Sequence, residues 1–234
     1  MTDEISADPL LIISDLSVSY ERWGQRVRAL DSVNLSISRS DWVMLIGHNG
    51  SGKSTLLRVA AEQIYPDTGR VTWLDEGAEK RKRPAPFLVE QNPMASTSPT
   101  LTIFENLYAS DNTGAREPKK TLRCKYQEML KSLGLADRMD TLVRYLSGGE
   151  RQLLSLLIAS LSPRPLLLLD EPLAALDPDK AKLCLEVISR LHQDGRAIVQ
   201  VSHDHDMANS HGNRTITMQS GRIIGEVRRE GVQC

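Results

Sequence analysis

A glycine-rich segment near residue 50 constrains the fold of this chain more than any other feature. The segment Gly47-His48-Asn49-Gly50-Ser51-Gly52-Lys53-Ser54-Thr55 has the spacing GxxxxGK[ST] at every position. The apolar stretch Asp41–Gly47 before it is predicted to be a buried strand, and Lys53–Gln63 after it has helical spacing of apolar residues. A strand, a glycine-rich turn and a helix in this order predict a loop that binds phosphate groups.

Each residue type in this loop suits a nucleoside triphosphate. Glycines let the backbone turn tightly and direct its N–H groups at phosphate oxygens. The N-terminus of the following helix adds the positive end of its dipole. Lys53 is expected to pair with the β- and γ-phosphates, and the hydroxyl of Ser54 is expected to bind Mg²⁺.

Two acidic residues follow a second apolar stretch. Leu166–Leu169 consists of four leucines and is predicted to be a strand buried on both faces, with Asp170 and Glu171 at its carboxyl end. Ligands of open α/β sheets bind at this end of the strands. Asp170 is therefore expected to hold Mg²⁺, directly or through water, and Glu171 to orient the attacking water.

A third segment, Leu146-Ser147-Gly148-Gly149-Glu150, lies at the start of a predicted helix, Arg151–Leu161. Backbone amides and a serine hydroxyl at a helix start can bind a second anion. One explanation for a second anion site is that it serves a nucleotide held by another copy of the chain. Taken alone, the segment is also compatible with a glycine turn that only caps the helix.

The order of the predicted elements indicates an α/β fold with a mostly parallel sheet. Alternating strands and helices in the last third favour parallel strands with helices on both faces. We expect one domain over residues 1–234, with an α/β core formed by 1–91 and 161–234 and an inserted helical subdomain over 92–160. The remaining predicted strands are Leu10–Tyr20, Val27–Ile37, Arg70–Leu74, Pro86–Val89, Ala197–Val201, Thr215–Met218 and Arg222–Val227, and the remaining helices are Ile103–Ala109, Leu122–Leu133 and Asp179–His192.

Together, these segments resemble the nucleotide-binding domain of the ABC transporter superfamily over nearly the whole chain. Leu146–Glu150 is similar to the signature LSGGE/LSGGQ of that family, Gly47–Thr55 to its Walker A loop and Leu166–Asp170 to its Walker B strand. The resemblance implies a P-loop NTPase core with a mostly parallel sheet, an N-terminal antiparallel β subdomain and an inserted helical subdomain that contains the signature. It also implies that the chain hydrolyses ATP with Mg²⁺ and that Glu171 is the catalytic glutamate.

The resemblance also implies roles for residues that have no distinctive chemistry alone. Tyr20 is similar to the aromatic residue that stacks on adenine, Gln91 to the Q-loop glutamine that senses Mg²⁺ and water, and His203 to the switch histidine that reaches the γ-phosphate. Ala175-Leu176-Asp177 is similar to the D-loop, which acts across a dimer. The implied catalytic residues are Glu171, His203 and Gln91; the metal-binding residues are Ser54, Gln91 and Asp170; and the nucleotide-binding residues are Tyr20, Gly47, Asn49, Gly50, Ser51, Gly52, Lys53, Ser54, Thr55, Ser147, Gly148, Gly149 and Asp177.

Three positions depart from the pattern of the family. Glu150 replaces the more frequent glutamine of the signature, Ala174-Ala175 stands where serine is common, and Glu90 precedes Gln91 where an aromatic residue is frequent. None of these changes removes a group that the chemistry needs, so we expect an active ATPase.

The resemblance further implies partners and a location. Two copies would pair head to tail, with each ATP between the Walker A loop of one copy and Ser147–Gly149 of the other. The other implied partners are transmembrane permease subunits and an extracytoplasmic substrate-binding protein, at the cytoplasmic face of the inner membrane. Import is favoured because importers commonly keep this domain on a separate chain. In addition, residues 91–107 and 212–224 resemble bacterial importer ATPases with amino-acid-type or uncharacterised substrates.

Composition argues against other classes of function. The net charge is −1 and aromatic residues make up 4% of the chain, so neither a basic surface nor stacking residues indicate nucleic-acid binding. The charged run Glu79–Arg83 is predicted to be a solvated loop. The N-terminus is acidic and has no apolar segment, so we expect no signal peptide.

Two alternatives to a transporter subunit remain. An ABC-family ATPase that acts on ribosomes or nucleic acid usually has two cassettes or a long coiled coil, and this chain has one Walker A loop and no heptad run. An unrelated P-loop kinase would leave Leu146–Glu150 without an explanation.

Overall fold

The computed structural model describes residues 9–74, 86–111, 117–174 and 176–229. The charged run Glu79–Arg83 and Ala175 of the predicted D-loop lie outside these residues. The chain forms two compact units. The first contains Met1–Leu88, Arg164–Glu171 and His192–Cys234, and the second contains Val89–Pro163 and Pro172–Leu191.

An antiparallel sheet forms part of the first unit. Its strands are β1 (Pro9–Arg22), β2 (Gln25–Ser38) and β4 (Thr68–Trp73), in the order β2–β1–β4. β1 and β2 are joined at Trp23 and Gly24, whose φ angles are 52° and 75°. The buried residues of β2 include Val33, Leu35 and Ile37, which alternate with less buried ones because successive side chains of a strand point to opposite faces. The predicted N-terminal antiparallel sheet is confirmed.

The other sheet of this unit has six strands. They are β3 (Trp42–Ile46), β5 (Phe87–Val89), β6 (Leu166–Leu169), β7 (Ala197–Val201), β8 (Arg214–Gln219) and β9 (Arg222–Arg228). Their order is β5–β6–β7–β3–β8–β9. The pairs β6–β7, β7–β3 and β3–β8 are parallel, and β9 is antiparallel to β8. Every residue of β3, β6 and β7 is buried, as expected for strands inside a parallel sheet. The predicted α/β fold with a mostly parallel sheet is confirmed.

A single hydrophobic core joins the two sheets of the first unit to helix α1 (Lys53–Ala60). It includes Leu16 and Leu30 of the antiparallel sheet, Val43 and Val199 of the parallel sheet, and Leu56 of α1. The start of α1 and the ends of β3 and β7 are therefore held by the same packed side chains, which fixes the segments that follow those strands.

The second unit is helical. Its helices are α2 (Ile103–Ser110), α3 (Lys119–Lys131), α4 (Gly148–Leu161) and α5 (Pro178–Gln193, whose last two residues belong to the first unit), with 3₁₀ turns at Pro93–Ala95, Ala136–Arg138 and Val143–Tyr145. α2 and α4 both begin with a capping box, Thr102 with Glu105 and Ser147 with Glu150. No helix among the described residues has the length and apolar character needed to cross a membrane.

The structure differs from the sequence predictions at several element boundaries. α4 begins at Gly148 and not at Arg151, because Ser147 is its N-cap. A short helix, α6 (His205–His211), has no counterpart among the predicted elements. Most other boundaries shift by one to three residues, which is usual at element ends.

Residues 172–191 group with the helical unit, although the sequence predicts them as part of the core. Packing at Gly149 provides one contact within that unit. A Cβ atom there would lie 2.5 Å from Cδ of Lys180 and 3.2 Å from Cδ2 of Leu176. The start of α4 thus packs directly on the segment that leads into α5.

Candidate nucleotide-binding and hydrolysis site

Three neighbouring parallel strands bring distant parts of the sequence together. β6, β7 and β3 are adjacent, so their carboxyl ends lie at the same edge of the sheet. Gly47 follows β3, Asp170 follows β6, and His203 follows β7 after one residue. The phosphate loop, both acidic residues and the histidine therefore meet in the first unit, as the sequence predicts for an α/β fold.

Lys53 is buried and reaches back over the phosphate loop. Its Nζ atom donates to the carbonyl oxygen of Gly47 at 2.7 Å and to that of His48 at 3.0 Å. Burial lowers the pKa of Lys53, and the charges of Glu171 and Asp170 oppose this effect without cancelling it. The ammonium group is thus held in the loop by weak carbonyl acceptors, which a phosphate oxygen can replace as a stronger partner.

Two glycines are required by close packing of the loop. Gly47 has φ 148°, and a Cβ atom there would lie 2.2 Å from the carbonyl oxygen of Met218. Gly52 has φ 104°, and its Cβ would lie 2.6 Å from the carbonyl oxygen of Ala29. The backbone N–H of Gly221 also donates to the carbonyl oxygen of Ser51 at 3.0 Å. The loop is therefore supported by β2, β8 and the turn after β8.

A pocket of about 280 Å³ opens beside this loop. Its polar wall is Asn49–Thr55, and its opposite wall contains Tyr20 and Val27, which are cross-strand neighbours in the β1–β2 hairpin. The hydroxyl of Tyr20 donates to Oγ1 of Thr55 at 3.4 Å. An aromatic ring and an aliphatic side chain opposite a phosphate loop form a wall suited to a nucleotide base.

Val27 and Arg28 line this pocket and are absent from the sequence-based site. A signal for Val27 exists in the sequence. A hairpin that turns at Trp23–Gly24 places residue 27 opposite residue 20. Once Tyr20 is assigned to the nucleotide base, this pairing predicts that Val27 lies beside the base too.

The donor set fits a magnesium ion. Oγ of Ser54 donates to Oδ1 of Asp170 at 3.2 Å, so a hydroxyl and a carboxylate lie side by side at the loop. Burial raises the pKa of Asp170; the hydrogen bond from Ser54 opposes this effect, and the charge of Glu171 adds to it. A bound cation would offset the cost of burying the negative charge of Asp170. Mg²⁺ prefers oxygen ligands and typically takes one or two from the protein and the rest from phosphates and water.

Glu171 and His203 form a pair at the same edge. Nε2 of His203 contacts Oε1 of Glu171, whose side chain is mostly buried. Glu171 has φ 51°, in the left-handed region that non-glycine residues seldom adopt. A strained backbone and a histidine partner both hold the carboxylate in one orientation, as expected for a group that positions a reactant.

Ser147 and Gly148 are exposed at the start of α4 in the second unit. The N–H of Ser147 donates to Oε2 of Glu150 at 2.7 Å, and the N–H of Glu150 donates to Oγ of Ser147 at 3.3 Å. Apart from its chain neighbours and the backbone of its own helix, no atom of the described residues lies within 4 Å of a Cβ placed on Gly148. The helix start therefore faces open space at Gly148, while Gly149 packs on Lys180 and Leu176.

Arg138, the last residue of the 3₁₀ turn Ala136–Arg138, contacts this helix start. Its Nη1 donates to Oε1 of Glu150 at 2.6 Å, and its Nη2 donates to the carbonyl oxygen of Tyr145 at 3.2 Å. Burial acts against the charged form of Glu150, but the N–H of Ser147 and the guanidinium of Arg138 hold its pKa below the usual range. Nothing in the spacing of the sequence points to Arg138, which lies twelve residues before its partner.

Gln91 and Asp177 also belong to the second unit. Gln91 is exposed. The carboxylate of Asp177 accepts from the backbone N–H of Lys180 at 2.9 Å and from its Nζ at 2.5 Å, and both contacts lower the pKa of Asp177. The roles of these two residues and of Ser147–Gly149 at a nucleotide stay predictions.

Comparison with known proteins gives consistent matches. Residues 30–174 match the family model described as ABC transporter. A tyrosine transport ATP-binding protein of Clostridioides difficile (strain R20291) is 34% identical over 232 residues, which are 94% of this chain and 92% of that protein. The macrolide export ATP-binding/permease protein MacB of Campylobacter fetus subsp. fetus (strain 82-40) is 29% identical over 94% of this chain. The chain spans 35% of that MacB protein.

Solved structures show the same fold. The dimeric structure of a post-hydrolysis state of the ATP-binding cassette MJ0796, bound to ADP and Pi, has a TM-score of 0.81 and 26% sequence identity. The match covers 95% of this chain and 100% of that one.

Proposed function

Because the chain belongs to the ABC transporter family and is an ATPase of that family, we propose that it energises solute import through separate transmembrane permease subunits. One observation carries this proposal. Lys53, Asp170 and Glu171 converge with the phosphate loop at one edge of the parallel sheet. The same edge therefore offers a cation for phosphate, oxygen ligands for a metal and a base for water.

Different groups of the first unit act on different parts of ATP and on the attacking water. Lys53 exchanges its carbonyl partners for oxygens of the β- and γ-phosphates, while Tyr20 and Val27 contact the base. Ser54 and Asp170 would hold Mg²⁺, which would neutralise charge on the phosphates. Glu171 orients the water that attacks the γ-phosphate. His203, now in contact with Glu171, donates to the γ-phosphate.

The second unit completes the site of another copy. In this proposal two identical chains pair head to tail, and Ser147, Gly148 and Gly149 of one copy cover the triphosphate bound by the other. The open space beside Cα of Gly148 supports it, because a phosphate group could approach this helix start from there. Gln91 senses the metal and water, and Asp177 acts across the pair. The dimer of the cassette MJ0796 with ADP and Pi supports such an arrangement.

The direction of transport and the remaining partners also belong to this proposal. A relative named for tyrosine transport aligns with this chain over 92% of its own length, which supports an ATPase subunit of similar extent. The MacB relatives are named for macrolide export and combine ATP-binding and permease functions in one protein. We place the chain at the cytoplasmic face of the membrane, with permease subunits and an extracytoplasmic substrate-binding protein.

Replacement of the proposed catalytic carboxylate tests the mechanism. Glu171→Gln keeps the size of the side chain but cannot polarise water, so ATP hydrolysis should fall roughly a thousandfold while ATP binding persists. The variant should then form a stable ATP-bound dimer, measurable by size-exclusion chromatography with light scattering. Glu186→Gln, an exposed glutamate on α5, is the matched control and should behave as the unmodified chain. Normal hydrolysis by Glu171→Gln would show that the assignment is wrong.

The direction of transport can be measured in proteoliposomes. The ATP-bound Glu171→Gln dimer serves to capture the permease from membranes, and the unmodified chain is then added outside vesicles that contain this permease. Import predicts that ATP outside drives cargo from the lumen to the outside, and tyrosine is the first cargo to use. ATP-driven accumulation in the lumen would instead establish export.

A further inference from the structure

The signature segment of this chain carries a charge that glutamine would lack. Glu150 stands where glutamine is more frequent, and its Oε2 atom accepts the N–H of Ser147 at 2.7 Å. A carboxylate thus lies within hydrogen-bonding distance of the helix start that is proposed to cover a triphosphate. Like charges repel, and the repulsion is strongest where groups are partly removed from water. The segment therefore needs a compensating cation.

Arg138 supplies that cation by direct contact. Its guanidinium bonds to the second oxygen of Glu150 at 2.6 Å, and the side chains of Arg138 and Glu150 are 35% and 22% exposed. The pair is therefore only partly screened by solvent. Lys180 also lies near Glu150, but its ammonium already pairs with Asp177 at 2.5 Å.

The same guanidinium also fixes the geometry of the segment. Its Nη2 atom bonds to the carbonyl oxygen of Tyr145, two residues before Ser147, while Glu150 lies three residues after Ser147. Arg138 therefore holds both flanks of Ser147, which is proposed to cover the triphosphate of another copy. Glutamine at position 150 offers one carbonyl oxygen, which cannot reproduce the two separate acceptor atoms of the carboxylate.

We propose that Arg138 is a positioning residue for ATP-driven pairing. It neutralises the carboxylate of Glu150 and fixes both flanks of Ser147, so that a signature with Glu150 can lie against a triphosphate. The inference rests on the proposed function, because it assumes that this segment covers the nucleotide of a second copy. It assigns Arg138 no contact with the nucleotide. Removal of Arg138 should therefore harm pairing most when Glu150 keeps its charge.

A double-mutant cycle tests this dependence. All variants are made in the Glu171→Gln chain, and the protein concentration for half-maximal dimer formation with ATP is measured by light scattering. Arg138→Met should raise that concentration at least tenfold, and Glu150→Gln about twofold. The double variant should return to within threefold of the Glu171→Gln chain. The tenfold loss should also shrink as salt rises from 50 to 500 mM, because salt screens the uncompensated charge.

Matched measurements separate the possible failures. Arg123→Met removes an arginine of the same charge from the exposed pair with Asp140 and should leave pairing unchanged. Binding of a fluorescent ATP analogue to the monomer should be equal in all variants. If the Glu171→Gln chain itself does not pair with ATP, the composite site of the proposed function fails. If it pairs and Arg138→Met pairs equally well, or if the double variant is worse than both single variants, the role of Arg138 is overturned.

Discussion

The phosphate loop and the signature segment are both glycine-rich helix starts, but they differ in how their own chain surrounds them. In the loop, Gly47 and Gly52 lie against backbone carbonyl oxygens, and the cation Lys53 is buried among carbonyl acceptors. At the signature, Gly148 faces open space and Ser147 is exposed. The phosphate loop is thus enclosed by its own chain, whereas the signature segment, the second proposed anion site, is exposed.

The difference indicates which site binds a ligand alone. A preorganised loop with a buried cation and a metal-ligand pair can hold a triphosphate within a single chain. A capping box on an exposed helix start offers few N–H groups, and the nearby cations Arg138 and Lys180 are already paired with Glu150 and Asp177. Such a surface gains affinity only when a second body brings the phosphate already bound. The comparison therefore predicts separable effects on nucleotide binding and on pairing.

The largest effect is expected from the loop glycine with the closest contact. In Gly47→Ala the new methyl group would lie 2.2 Å from the carbonyl oxygen of Met218, so the loop must move away from β8. We expect a loss of about 3 kcal/mol in the free energy of unfolding, measured by urea denaturation. Binding of ATP to the monomer should weaken roughly a hundredfold, measured by calorimetry.

The matched substitution at the signature sharpens the contrast. The new methyl group of Gly148→Ala meets no neighbouring element among the described residues, and alanine favours a helix over glycine. Its unfolding free energy should stay equal or rise by about 0.5 kcal/mol, with ATP binding to the monomer unchanged. Only ATP-driven pairing should be lost. Equal behaviour of Gly47→Ala and Gly148→Ala would remove the distinction between the two sites.

The next largest effect is expected from the N-cap residues of the two capping boxes in the helical unit. Ser147→Ala and Thr102→Ala each remove an N-cap hydroxyl that accepts the N–H of the glutamate three residues later. Both should cost about 1 kcal/mol of stability by thermal unfolding. Only Ser147→Ala should also weaken ATP-driven pairing, about tenfold, and lower steady-state ATPase activity. If Thr102→Ala weakens pairing as much, Ser147 acts through helix stability alone.

The contrast between the two sites also explains what the sequence could predict. The phosphate loop and Asp170-Glu171 follow apolar strands that are buried on both faces, so local pattern and sheet chemistry agree there. The meeting of the loop with Asp170 follows from parallel strands, because their carboxyl ends share one edge. Capping by Ser147 follows from its spacing to Glu150.

Other features depend on packing that leaves no local pattern. The salt bridge of Arg138 with Glu150 joins a 3₁₀ turn to a helix start, and nothing in the sequence around Arg138 points to Glu150 as its partner. Helix α6 is short and polar, with Met207 and Ala208 as its apolar residues, so no apolar periodicity identifies it. Residues 172–191 group with the helical unit, and the packing of Gly149 on Leu176 and Lys180 is visible only in the folded chain.

The smallest expected effect concerns the pH dependence of the signature. Glu150 has a lowered pKa in the folded chain, so its charged form stabilises the fold fully above the pKa of the unfolded chain, about 4.3. That stabilisation is lost as pH falls through the folded-state pKa. Glu150→Gln should therefore cost up to about 1 kcal/mol at pH 7, and the difference from the unmodified chain should shrink below pH ~4. Urea denaturation at both pH values measures this change.

Glu105 provides the comparison for this last effect, because it forms the other capping box with no described ion pair to an arginine. Thr102 alone supplies the hydrogen bonds that lower the pKa of Glu105, and its carboxyl is exposed to solvent. The loss in unfolding free energy caused by Glu105→Gln should also shrink as pH falls, but it should be smaller than the loss caused by Glu150→Gln. A larger effect at Glu105 than at Glu150 would mean that Arg138 contributes little to the charge balance at the signature. The two helix starts would then be electrostatically alike, and only the open space at Gly148 would distinguish them.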